Sequence, residues 1–126
     1  TLIGRKPRDK YLFFIQSVLK KYRNGMLLVD DASAYERYTT SDEFNELIMM
    51  RRHIGVDVFY IYHGFTMLPI AMLPYVNNVI LFHTTDNFQY KAAKLPEMQQ
   101  LLEAKERIAK KVAAGNKYYK EVIKLS

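Results

Sequence analysis

The chain has 126 residues, of which 49% are apolar and 25% charged, and it contains no cysteine. This length suits one domain, residues 1–126, with a real hydrophobic core, and the composition excludes a disordered chain. The lack of cysteine excludes a disulfide framework and a thiolate zinc site, and fits a reducing, cytoplasmic setting. The formal net charge is +6, unevenly spread. Residues 1–25 hold seven basic residues against one acid, residues 26–90 three against eight, and residues 91–126 nine against four. An acidic middle between basic ends points to a cation in the middle and to nucleic acid or anionic lipid at the ends, unless the lysines only solubilise long helices.

Residues 1–8 are irregular, broken by Gly4 and Pro7. Asp9 is a plausible N-cap for a helix to about Tyr22, with Leu12, Phe13, Ile15, Val18 and Leu19 at helical spacing. Asn24-Gly25 is a turn. Met26 to Val29 is a continuous apolar run, which predicts a strand buried on both faces, and it ends in Asp30-Asp31. A polar loop follows, then a helix capped by Thr40 or Ser41 and stopped by Gly55. Val56 to Tyr62 is a second buried strand. A short helix is expected over Met67 to Leu73, and a third strand over Val79 to Phe82. Pro96 opens a long helix to about Ala114, and a last amphipathic turn or two carries Tyr118, Tyr119, Val122 and Ile123, so that residues 95–126 read as basic helices. Alternation of this kind predicts an α/β fold in three layers, a short parallel sheet of about three strands with helices on both faces.

No apolar run approaches the roughly 20 residues of a transmembrane helix. The longest apolar-rich stretch, Val56 to Phe82, is broken by Asp57, His63, Pro69, Pro74 and Asn77-Asn78. The sequence opens on Thr1 with no signal-peptide pattern, as a fragment would.

The chemistry concentrates in MLLVDD at 26–31. Ligands of parallel sheets bind at the carboxyl ends of the strands. In P-loop NTPases the first acid at such a point holds magnesium, and in one large branch the next acid polarises the attacking water. The bland alternative is an Asp-rich turn after a strand. The context favours the functional reading: a helix ends in Arg52-His53-Ile54-Gly55-Val56-Asp57, the next strand ends in Tyr62-His63, and a Leu-Pro turn and the strand VILF follow. From Gly25 to Asp86, about half the chain, the sequence resembles the second half of the HerA/FtsK-type ATPases and is similar to the zonula-occludens-toxin-like phage assembly ATPases.

The resemblance implies a P-loop ATPase segment that moves DNA or assembles phage particles as a homo-oligomeric ring. It assigns Mg²⁺ to Asp30, the water-orienting role to Asp31, the sensor position to His63, and a trans arginine to Arg52. Two positions depart from that pattern: Asp31 replaces the usual Glu, and Tyr62-His63 replaces Thr-Gln. The sequence has no GxxxxGK[ST] loop, so the chain is not expected to hold ATP or hydrolyse it alone. In the family the phosphate-loop strand lies between the strands matching 57–62 and 79–82. Its place is then either closed by the third strand or filled by another chain.

Other residues have plainer readings. His53, His63 and His83 lack the spacing of a zinc motif. Arg51 and Arg52 complement a helix C-terminus, and Asp57 is placed to pair with one of them. Tyr11, Tyr35, Tyr38, Tyr118 and Tyr119 are candidate surface platforms, and the C-terminal lysines candidate phosphate contacts. A non-catalytic module that binds nucleic acid or protein through its basic ends is the alternative function.

Overall fold

The computed structural model describes residues 6–88 and 98–125, and Pro96 lies outside them. The described residues fall into two compact units, one within Thr1–His63 and Met67–Met72, the other within Gly64–Thr66 and Leu73–Ser126. Among the described residues no helix is long and apolar enough to cross a membrane.

The first unit is two helices against two parallel strands. Helix α1 (Pro7–Lys21) starts on Pro7, whose missing N–H costs nothing in a first turn. Asp9, expected as the cap, lies inside that turn, where its charge suits the helix dipole. Tyr11, Ile15 and Val18, four and three residues apart, form its buried stripe. Phe13, expected inside, is 55% exposed, and Tyr11, expected as a surface platform, is 6% exposed.

Strand β1 (Gly25–Val29) pairs in parallel with β2 (Val56–Tyr60), Gly25 opposite Val56 and Val29 opposite Tyr60. Between them runs helix α2 (Asp42–Ile54). Its N-cap is Ser41, whose hydroxyl accepts the Phe44 N–H, and its C-cap is Gly55 at φ 68. Leu27, Val29 and Val56 pack with Tyr11, Ile15, Val18, Leu47 and Ile54, so both helices cover the same face of the pair. The opposite face is open: Met26 is 60%, Leu28 55% and Phe59 42% exposed. The expected burial on both faces is thus corrected, and the unit has two layers among its described residues. At the outer edge of β1 the Tyr22 hydroxyl donates to the Met26 carbonyl and accepts the Met26 N–H, both at 3.2 Å. Gly25 allows this, because an added Cβ would run into the phenol.

A buried polar network ties the loop after β1 to α2. Glu36 is 0% exposed. Its carboxylate accepts the Ser41 N–H at 2.6 Å and the Ser41 hydroxyl at 2.7 Å, while its backbone carbonyl accepts the Tyr62 hydroxyl at 2.6 Å. Nearby, the Tyr11 and Tyr60 hydroxyls share a hydrogen bond of 2.5 Å. Burial, with the carboxylate of Glu36 adding to it, pushes the Tyr11, Tyr60 and Tyr62 phenols above their ordinary range.

The second unit is built on an antiparallel pair. Strand β3 (Asn78–Leu81) pairs with β4 (Glu121–Lys124), Asn78 opposite Lys124 and Ile80 opposite Val122. Two expectations are corrected here. The third strand does not join a parallel sheet, and the last helical turn is β4. Helix α3 (Met98–Ala113) buries Met98, Leu101, Ala104 and Ile108 and contacts both strands. The short helix expected before β3 is a 3-10 segment, Ile70–Tyr75. Asp86 clasps the unit: its carboxylate accepts the N–H groups of Phe65 and Thr66 and the Thr66 hydroxyl, and Lys105 donates to its carbonyl. Partial burial pushes the Asp86 carboxyl up, but the Thr66 and Phe65 hydrogen bonds and the Lys105 charge together hold it below the usual range.

Glu36→Ala strands the buried Ser41 N–H and is expected to cost about 2–3 kcal/mol in urea unfolding, with a smaller loss for Glu36→Gln. The raised tyrosines set an alkaline limit. Their neutral forms are favoured in the fold, so this stabilisation is complete below about pH 10 and fades as pH rises past the unfolded-state value. Urea midpoints should therefore fall from about pH 10 upward, and the fall should be shallower in Tyr11→Phe.

Candidate metal centre at the carboxyl ends of the parallel strands

Beyond Val29 the ladder continues without a strand: the Ile61 N–H donates to the Val29 carbonyl and the Ala32 N–H to the Ile61 carbonyl, each at 2.9 Å. The chain turns in these few residues. Asp31 takes the left-handed conformation, φ 50 and ψ 46. Aspartate tolerates this conformation better than most side chains, because its short polar group can bond locally. Here that local bond comes from its neighbour, as the Asp30 carboxylate accepts the Asp31 N–H at 2.9 Å. A 3-10 turn, Ala32–Ala34, follows and leads to Glu36.

The reversal aims Asp31 at the end of β2. Its Oδ1 lies 2.6 Å from His63 Nε2, with the two side chains 65% and 78% exposed. One ligand atom each from Asp30, Asp31 and His63 can be chosen so that all lie within 4.8 Å of one another. Two carboxylates and an imidazole on one rim suit a divalent cation. Magnesium takes one or two carboxylates and keeps several waters, which an exposed rim supplies. This exposed hydrogen-bonded contact itself contributes at most about 1 kcal/mol to stability.

Asp30 and Asp31, which follow one strand, and His63, which follows the next, are therefore brought together. Arg52 is not with them. It is exposed in the last turn of α2, just before β2 begins, and the cluster lies beyond the other end of that strand. The five residues of β2 separate them by roughly 17 Å. His53 shares the position of Arg52, and His83 belongs to the second unit. Glu36 escaped the sequence reading: its charge pattern is that of any polar loop. The one available signal was an acid shortly before a helix-capping serine.

No family model, no curated protein and no solved structure matches the chain.

Substitutions at Asp31 separate the backbone from the side chain. Asp31→Gly and Asp31→Val both lose the His63 contact, but only glycine suits the left-handed conformation. Asp31→Gly should keep stability within about 1 kcal/mol, and Asp31→Val should lose about 1–3 kcal/mol in the same urea titration.

Proposed function

We propose that the first unit is the magnesium-carboxylate half of a P-loop-type ATPase core. The observation that carries this reading is the gathering of Asp30, Asp31 and His63 where β1 and β2 end. The open face of the parallel pair supports it, since parallel strands are ordinarily covered on both sides and Met26, Leu28 and Phe59 await a further layer. The 126 residues contain no phosphate-binding loop, so ATP is held only when further sequence supplies one.

In this reading Asp30 would hold Mg²⁺ through its water shell, and the cation would supply charge neutralisation for a bound nucleotide. Asp31 holds the attacking water as hydrogen-bond acceptor. His63 keeps Asp31 pointed at the rim, so it steadies that acid instead of reaching a phosphate as a sensor would. Arg52, at the far end of β2, contributes only by reaching the nucleotide of a neighbouring subunit in a ring.

Manganese tests the cation site on this chain. Amide signals of Asp30, Asp31 and His63 should broaden first as Mn²⁺ is added, and Asp30→Asn should weaken the effect about tenfold. Broadening elsewhere, or none that Asp30→Asn alters, removes the site. In a longer chain that carries a phosphate loop, Asp31→Ala should stop ATP turnover and leave ATP binding intact; unchanged turnover takes Asp31 out of the mechanism.

A further inference from the structure

The second unit carries a surface that the ATPase reading does not use. Helix α3 covers one face of the β3–β4 pair, where Leu81 and Ile123 are buried. Side chains alternate along a strand, so the other face presents Asn78 and Ile80 from β3 and Val122 and Lys124 from β4. Phe82 continues that alternation past β3, and Lys120 does so ahead of β4. Ile80, Phe82 and Val122 are 48%, 59% and 65% exposed. Lys120 and Lys124 are exposed as well, and Tyr118, 84% exposed, stands in the turn leading to them.

We propose that this open face binds single-stranded nucleic acid, with Phe82 stacking on a base and Lys120 and Lys124 meeting phosphates. The inference is independent of the metal centre and holds whether or not the chain takes part in ATP hydrolysis. Its first support is charge. Among the described residues of this face there is no acid, because Glu121 points to the opposite side and is held there by Arg107 at 2.8 Å. Its second support is the pairing of residue types. An exposed ring offers sequence-tolerant stacking, and a lysine row tracks a phosphate backbone. Lys120 and Lys124 stand about 13 Å apart along the strand, a span that suits an extended backbone.

The same chemistry argues against other occupants. Two copies stacked face to face would bring their lysine rows together, which like charges oppose. A duplex keeps its bases stacked inside and offers Phe82 no free π-face. Two other rings of this unit already carry a cation: Lys111 sits 5.9 Å from the centre of the Tyr119 ring and Lys105 5.4 Å from that of Phe88.

The test uses the whole chain and a fluorescent oligothymidine, read by anisotropy over a salt series. Binding should weaken as salt rises, and Lys120→Ala with Lys124→Ala should lower the slope of log affinity against log salt by about 1.4. Phe82→Ala should weaken binding about tenfold, while Phe82→Tyr should retain it. Lys20→Ala with Lys21→Ala, on α1, should change little. Because Phe82, Lys120 and Lys124 are all exposed, unaltered thermal melting is expected and serves as the folding control. The proposal is overturned by absence of binding at low salt, by equal affinity for duplex, or by an equal loss in the α1 variant. Binding to anionic lipid vesicles that oligothymidine does not displace also overturns it.

Discussion

The Glu36 carboxylate, sealed from water, takes both the N–H and the hydroxyl of Ser41, and that pair of bonds decides how the chain passes from β1 to α2. A buried carboxylate is costly unless its oxygens are satisfied. Ser41 satisfies one oxygen with its amide and the other with its hydroxyl, and the same hydroxyl then accepts the Phe44 N–H to start the helix. The loop is thereby pinned at the helix end, while the Ala32 N–H pins its other end to Ile61. Asp30 and Asp31 sit in the few residues between. Their placement at the rim is a consequence of polar satisfaction further along the loop, and neither side chain is buried itself.

The two units solve their packing problem in the same way. Each buries one face of a two-stranded sheet under helix, α1 and α2 in the first and α3 in the second, and each leaves the other face uncovered. The uncovered faces differ in character. That of the parallel pair is apolar apart from Asp57, as a surface destined for another layer would be. That of the antiparallel pair mixes apolar groups with lysine. Sheets this small draw their stability from the helices packed on them. In the first unit the shared cluster of Tyr11, Ile15, Val18, Leu27, Val29, Leu47, Ile54 and Val56 provides it.

Much of the first unit was legible in the residues. The run MLLV followed by two acids marked a strand with a polar rim, and Ser41 and Gly55 marked the limits of α2. Tyr62-His63 marked the end of the next strand two residues beyond Tyr60, where β2 stops, and so the histidine's meeting with Asp31 was within reach. Burial on both faces was not legible, because an apolar side chain states what it tolerates and not which partner it meets. Tyr11 was misplaced although its spacing to Ile15 and Val18 puts it on their stripe. The C-terminal stretch misled for a different reason. Lys120, Val122 and Lys124 alternate with Tyr119, Glu121 and Ile123, a period of two that was hidden behind the preceding sixteen-residue helix. The place of β3 was beyond reading, since antiparallel pairing with β4 depends on chain that follows α3.

The Tyr22 phenol gives the parallel pair a direction of growth. By taking both the donor and the acceptor of Met26, it occupies the point on β1 where an incoming strand would begin its own ladder. An exposed row of peptide groups is what lets sheets zip together between molecules. Here a single hydroxyl acts as a stopper on one margin, so any polypeptide that lengthens this sheet must come from the β2 side or first evict the ring.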